Sequence, residues 1–504
     1  MRRPLVIHPF FFALFPALSL VSDHIELLSI NNTVVVIAIV TLVVAFLSLL
    51  LLRSLVKDRQ QAGLLVSLSL LLFFSYGHVF DFVTTNFESL GVRHRHLLLA
   101  WSMLAILVMR FSLRARTDSQ VYTNFLNLMG ALLVLISFVH IAGYEIATRD
   151  YWQPTEEFES AIRKPDQNDV LPDIYYVILD GHASSSTLRE IYDHDDAEFI
   201  DHLKEVGFFI ADESRSNYAM TALSLASSLN MEHVNSPSNL LNMDQTDVQV
   251  PMQMIENNTS MRFLKSKGYR IIFLGSGFGV TQRNRHADLE VDCGYVDETL
   301  GRFIQSTLIR AVADKSHLIE NDQRNRVLCT FLELAAVHRI EGPTFVFAHI
   351  APPHWPFLFD ASGNRIHLEK LDAPQEKEAY IDQLIFVDKK IEDLIDEILL
   401  RSELDPIMII QSDHGPGLGF ESDDRWQNPT RENLRERMRI LNAYYLPNGG
   451  SDSFYEAITP VNTFRLIFNT YLGSHFPLLS DQSYFSTYAN PYRFIDVTES
   501  VKYD

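Results

Sequence analysis

Ile407-Met408-Ile409-Ile410-Gln411-Ser412-Asp413-His414-Gly415 runs a short apolar stretch into an abrupt polar turn. The stretch is too short for a helix and apolar on both faces, as a central parallel strand covered by helices must be. The same pattern recurs upstream. Residues 174–179 (IYYVIL) run into Asp180-Gly181, and residues 344–350 (TFVFAHI) carry His349 at their end with His354 five positions on. Runs at 270–274 and 441–446 read the same way. Helical patterns at 197–206, 261–267, 323–337, 375–400 and 461–472 alternate with them. Such alternation predicts an α/β domain with a mostly parallel sheet and helices on both faces. Ligands in such sheets bind outside the carboxyl ends of the strands, where these polar residues fall.

Upstream of this region the chain changes character. The whole has 504 residues, two Cys and a formal net charge of −21. Up to Asp150 there are 11 basic and 8 acidic residues, against 31 and 55 beyond it. The acidic balance argues against nucleic acid as a partner. Two Cys exclude a disulfide framework or a Cys-based zinc module. The weakly basic first part holds five apolar segments, at 4–21, 34–52, 62–79, 97–108 with its flanks, and 121–141. Each approaches the ~20 residues needed to cross a bilayer. Residues 34–52 lack the polar face that a buried soluble helix would show. Arg2 and Arg3, then Arg53, Lys57 and Arg59, then Arg110, Arg114 and Arg116 fall in alternate loops. The positive-inside rule therefore puts the N-terminus in the cytoplasm, and five crossings put the C-terminal part outside. No charge pair sits at mid-span, which favours an anchor over a transport pathway. The expected organisation is a transmembrane helical domain over 1–148, a Pro-containing linker over 149–172 and a catalytic domain over 173–504.

The strand ends converge on one chemistry. Two carboxylates and a histidine (Asp180, Asp413 and His414) make a site for a divalent metal such as zinc or manganese, with magnesium as a further option. A lone Asp-Gly after a strand is usually only a turn. Adjacent Asp and His at a strand end seldom serve packing. His182, His194 and His202 lack a strand-end context and read as surface residues. Residues 215–230 supply hydroxyls and become a helix pattern, so a hydroxyl there would face the backbone N–H groups of a helix N-terminus. A metal would lower its pKa and make it a nucleophile. Composition alone leaves Ser216, Thr221 and Ser224 equal, beside the ordinary reading of a Ser/Thr N-cap.

The order of Asp180, the Thr221 segment, His349 with His354, and Ser412-Asp413-His414-Gly415 resembles the sulfatase-like branch of the alkaline phosphatase superfamily. It is most similar to the membrane-anchored phosphoethanolamine transferases and lipoteichoic acid synthases, which also place about five spans before an extracytoplasmic catalytic domain. Thr221-Ala222-Leu223-Ser224 matches the transferases' T-A-x-S context and selects Thr221 as nucleophile. Their Asp-His pair matches Asp413 and His414. Asp180 takes the place of a ligand that is Glu in those enzymes. Their two later histidines resemble His349 and His354, implying a second metal or phosphoryl contact. True sulfatases use Cys or Ser in C/S-x-P-x-R, and neither Cys293 nor Cys329 lies in that context. The two Cys are free to pair in an oxidising compartment. Cys329 in an apolar helix pattern reads equally as a buried thiol.

The resemblance implies a metal-dependent transferase in a bacterial inner membrane, multi-pass, with its catalytic domain extracytoplasmic. Asp180, Thr221, Asp413 and His414 would hold the metal. Thr221 would carry a phospholipid headgroup phosphate covalently to a cell-envelope glycan or lipid acceptor, with His349 and His354 as acid, base or phosphoryl ligands. The alternatives are a sulfatase-like hydrolase acting on phosphate or sulfate esters, and a degenerate membrane scaffold without catalysis.

Overall fold

The computed structural model describes residues 4–25, 28, 30–56, 58–114, 119–148, 171–235, 248–366, 373–418 and 426–503. Most of the predicted linker, 149–170, lies outside them. So do Arg2, Arg3, Glu26, Lys57 and Arg116, which bear on the orientation. The chain divides into two compact units, residues 1–149 with 295–322, and residues 150–294 with 323–504.

The first unit is built on five helices: α1 (His8–Asp23), α2 (Asn32–Leu55), α3 (Arg59–Asn86), α4 (His94–Arg114) and α5 (Ser119–Thr148). Four of them, α2 to α5, are long and apolar enough to cross a membrane. The predicted first span becomes a helix of 16 residues with Pro16 inside it. At ~1.5 Å per residue it is about 24 Å long, short of the ~30 Å hydrocarbon core. The starts of α2 and α3 are fixed by side-chain caps, Asn31 accepting from Val34 N and Asp58 from Gln60 N. Phe12 and Ala13 of α1, Ala45 and Leu49 of α2, and Ala62, Val66 and Leu70 of α3 form one buried seam. Lipid is as apolar as leucine, so small residues such as these three alanines bring helices together by close packing rather than by burial from water.

The second unit carries a seven-stranded sheet in the order β2-β7-β6-β1-β5-β3-β4. The strands are β1 (Ile174–Leu179), β2 (Phe208–Ile210), β3 (Arg270–Leu274), β4 (Leu289–Val291), β5 (Thr344–Ile350), β6 (Ile407–Gln411) and β7 (Asn442–Tyr445). All run parallel except β7, which pairs antiparallel with both β6 and β2. Period-two alternation splits each central strand between two cores. Tyr176, Ile178, Phe345 and Phe347 face one, with Phe464 and Phe468 of the helix Pro460–Tyr471. Tyr175, Val177, Val346, Ala348, Met408 and Ile410 face the other, with Val387, Ile391 and Leu394 of the helix Ala373–Arg401. A small antiparallel pair, β8 (Tyr484–Thr487) and β9 (Asn490–Asp496), stands apart from the main sheet.

Register positions the site. Ile178 lies opposite His349 on one side and Gln411 on the other. The chain therefore leaves β1, β5 and β6 at one level, and Asp180, His349 and Asp413 emerge together. Gly181 has a φ of 73°, a left-handed conformation that glycine adopts without strain. At Gly415 a Cβ would collide with the carbonyl oxygen of Glu436, so only glycine lets these two backbone segments meet.

Candidate metal centre and nucleophile

Asp180, Asp413 and His414 are buried, and their ligand-type atoms lie within 4.8 Å of one another. His414 Nε2 is 3.2 Å from Asp413 Oδ2 and 3.6 Å from Asp180 Oδ1. His349 Nε2 approaches Asp180 Oδ2 to 3.3 Å. Its Nδ1 is fixed 2.6 Å from Thr281 Oγ1. His354 stands half-buried at the mouth, its backbone N–H donating to Asp180 O at 2.9 Å. Its ring lies 6.0 Å from that of His414. All six residues predicted for the site therefore come together, Thr221 being the sixth.

The structure separates the three candidate hydroxyls. Ser216 Oγ bonds the carbonyl oxygens of Tyr218 and Asp413, and Ser224 Oγ donates to Asp413 O at 2.7 Å. Both are buried and committed to holding the β6 loop. Thr221 begins the helix Thr221–Asn230, whose N-cap is Met220, so its hydroxyl is not needed for capping. Thr221 Oγ1 lies 3.0 Å from His414 Nε2. A helix's first-turn N–H groups have no partner within it, and no side chain caps this end, as at anion-binding helix ends.

Charge in the pocket is unbalanced. Burial alone would raise the Asp180 carboxyl, but His354, His349 and His414 together hold it well below the usual carboxylate range. Burial and the neighbouring Asp180 charge push Asp413 up to about 6. Burial and then Arg437 hold His414 well below its ordinary value, leaving the neutral imidazole that a metal ligand must be. Burial works against protonation of His349, but Asp180 and Asp413 outweigh it and raise that histidine. Asp180 Oδ1 and Asp413 Oδ2 are buried oxygens without a hydrogen-bond partner. Such orphans are costly when left unpaired. Those two acceptor oxygens, grouped with the neutral His414 ring, fit a divalent cation.

Several supporting residues had no sequence signal of their own. Arg437, buried, donates through Nε to Ala219 O and through Nη1 to Gly415 O and Pro416 O, clamping the Thr221 loop to the β6 loop. Thr281 and its partner Ser276 (Oγ–Oγ1 2.7 Å) follow β3, a fourth strand end that extends the same reasoning. His182 corrects an expectation. Rather than a surface residue it is fully buried, with Nε2 2.9 Å from Asp388 Oδ1 and Nδ1 2.8 Å from Ala183 O. Burial opposes charge on this ring, but the Asp388 carboxylate raises the His182 pKa above its ordinary value. The Tyr380 hydroxyl donates to Gly181 O and accepts from Ala183 N, completing the underside of the β1 loop. His194 and His202 are half-buried and outside the site. Cys293 and Cys329 form a disulfide with Cα atoms 5.6 Å apart, which settles their alternatives and leaves neither as a nucleophile.

The sulfatase family matches residues 172–465, more than half of the chain. The chain belongs to the sulfatase family. No curated protein matches it significantly. Among solved structures this sulfatase-family chain is similar to the C-terminal periplasmic domain of EptC from Escherichia coli, at 14% identity over 66% of this chain and 94% of that one, with a TM-score of 0.44. It is also similar to the integral membrane lipooligosaccharide phosphoethanolamine transferase A (EptA) from Neisseria meningitidis, at 12% identity over 92% and 95% of the two chains, with a TM-score of 0.43. A third is the putative sulfatase yidJ from Bacteroides fragilis, at 12% identity over 65% and 84%, with a TM-score of 0.40. The protein is a sulfatase-like enzyme with a divalent-metal site, joined to a membrane anchor.

Proposed function

We propose that this enzyme moves the headgroup phosphate of a phospholipid to a cell-envelope glycan or lipid through a covalent intermediate on Thr221. The observation that carries the reading is the Thr221 hydroxyl, paired with the His414 ring at 3.0 Å rather than with backbone, where the two serines beside it bond backbone carbonyls. Asp180, Asp413, His414 and Thr221 would hold the cation, with zinc or manganese suited to that donor set. When bound, such a cation lowers the pKa of a hydroxyl and screens a phosphoryl group from neighbouring carboxylates.

The residues divide the remaining work. Thr221 Oγ gives its proton to the His354 or His349 imidazole and bonds to phosphorus. The bond from phosphorus to the diacylglycerol oxygen breaks, and that oxygen takes a proton from His354 or His349. In the second half, an acceptor hydroxyl gives its proton to the same imidazole and its oxygen bonds to phosphorus. The bond to Thr221 Oγ then breaks and that imidazole passes the proton to the oxygen, restoring the hydroxyl. N–H groups at the start of the Thr221 helix face the phosphoryl oxygens. His349, held by Thr281 through Nδ1, presents Nε2 as a fixed donor. The loop charges support placing this unit outside a bacterial inner membrane, beside its lipid donor.

The test is to incubate detergent-purified protein with mixed bacterial phospholipids and to follow diacylglycerol. The reading expects diacylglycerol from one phospholipid class in wild type, none from Thr221→Ala, and none after chelation. Diacylglycerol formed equally by Thr221→Ala would contradict it. A released phosphate ester with no acceptor adduct would make water the acceptor and the enzyme a phosphodiesterase.

A further inference from the structure

Residues 295–322 leave the second unit at Gly294 and return to it at Gln323, yet they pack with the membrane helices. Two short helices, Glu298–Ser306 and Arg310–Ser316, make up most of this excursion. Its contacts lie along the spans as well as at their ends. Phe303 is buried against Ala17 of α1, Ile37 of α2 and Phe74 of α3. The Leu308 N–H donates to Phe73 O at 2.9 Å. Gly77 has Gln305 and Ser306 backbone where its Cβ would stand.

Phe73 lies well inside α3, six residues before the end of the apolar stretch at Val79, or about 9 Å along the axis. Ile37 stands five residues past the start of α2, about 7 Å in. Irregular backbone at such depth is tolerated only where protein satisfies its polar groups. The Leu308–Phe73 bond and the glycine at position 77 do that here. Polar contacts take over at the level of the helix ends. Thr33 Oγ1 donates to Asp297 Oδ2 at 2.5 Å, Arg310 Nη1 meets Asp81 Oδ1 at 2.7 Å, and His94 Nε2 meets Asp314 Oδ2 at 2.9 Å. Arg310 also lies over the Phe80 ring, 4.9 Å from its centroid.

The outer side of the excursion is apolar. Val312 is 69% exposed, Leu318 43% and Ile309 39%. Valines and leucines on α2 and α3, the helices it packs with, are likewise exposed, among them Val35, Val36 and Leu71. We propose that residues 295–322 are a re-entrant element of the membrane unit, with Ile309, Val312 and Leu318 against the acyl chains of one leaflet. The occupant is lipid because the element packs along helices that themselves need lipid around them. Lys315, exposed beside it, is placed to reach the headgroups with its amine. The Cys293–Cys329 disulfide then closes the loop from which this element projects.

The native cysteines are paired, so an introduced cysteine takes a nitroxide label alone. Val312→Cys and, as a second position, Ile309→Cys would be labelled in full-length protein in nanodiscs of phosphatidylcholine and phosphatidylglycerol. Collision with oxygen and with a water-soluble nickel chelate reports depth. The expected result is a shift of the oxygen-to-nickel ratio to that of Leu47→Cys on the lipid face of α2. A ratio matching Asp405→Cys, exposed on the second unit, would overturn the proposal. So would an immobile label shielded from both reagents, since that would mean protein covers the patch.

Discussion

The two units are held together by different means. In the second unit, parallel registers put two continuous cores on either side of the sheet, and polar side chains knit the strand-end loops to one another. In the first, small residues let helices approach, and the long-range ion pairs cluster where residues 295–322 meet the helices. Water drives the first kind of assembly and is absent from the second. In the membrane unit the ion pairs of residues 295–322 fall at the ends of α3 and α4, whereas the catalytic unit buries its charged groups at the strand ends.

This contrast can be broken or sharpened by substitution. The largest effect belongs to the nucleophile. Thr221→Ala should lower turnover by about 10⁴- to 10⁶-fold while metal content, measured by mass spectrometry of the dialysed protein, stays at the wild-type level. Loss of metal as well would make Thr221 a structural ligand first. Next comes the sheet core. Phe347→Ala should cost about 3–5 kcal/mol of stability in the catalytic unit. Leu47→Ala, facing lipid on α2, should cost far less in the same thermal series, because leucine and acyl chain are alike. Equal losses at the two positions would erase the contrast. Reducing the Cys293–Cys329 bridge, which spans 36 residues, should cost up to about 4 kcal/mol by the chain-entropy argument. Thermal unfolding of Cys329→Ser against wild type measures it. The smallest effect is expected at Asp81, more than half exposed beside Arg310. Asp81→Asn should change stability by only about 0.2–1 kcal/mol, and less at high salt.

Much of the catalytic unit could be read from its residues. β1, β3, β5 and β6 stand at 174–179, 270–274, 344–350 and 407–411 as their apolar runs predict, because a strand buried on both faces must be continuously apolar. The site followed from looking at strand ends. β2 and β4 were not legible, since three residues at a sheet edge carry no period, and β4 falls in a stretch that reads as loop. The burial of His182 was missed because its partner, Asp388, lies 206 residues away on a helix that reads only as cover for the sheet. The choice of Thr221 among the three hydroxyls needed the family resemblance. The excursion left no trace in hydropathy. Phe303-Ile304 and Leu308-Ile309 are apolar pairs far shorter than a span, and only the three-dimensional placement shows what they meet.

The central claim is that Thr221 carries the transferred group. Intact and peptide mass spectrometry of purified protein, after incubation with phospholipids and zinc or manganese, tests it most directly. The account predicts an adduct of headgroup-phosphate mass on the peptide containing Thr221, absent from Thr221→Ala. Turnover of the same lipids with no adduct on any peptide, or with the adduct on another residue, would contradict it.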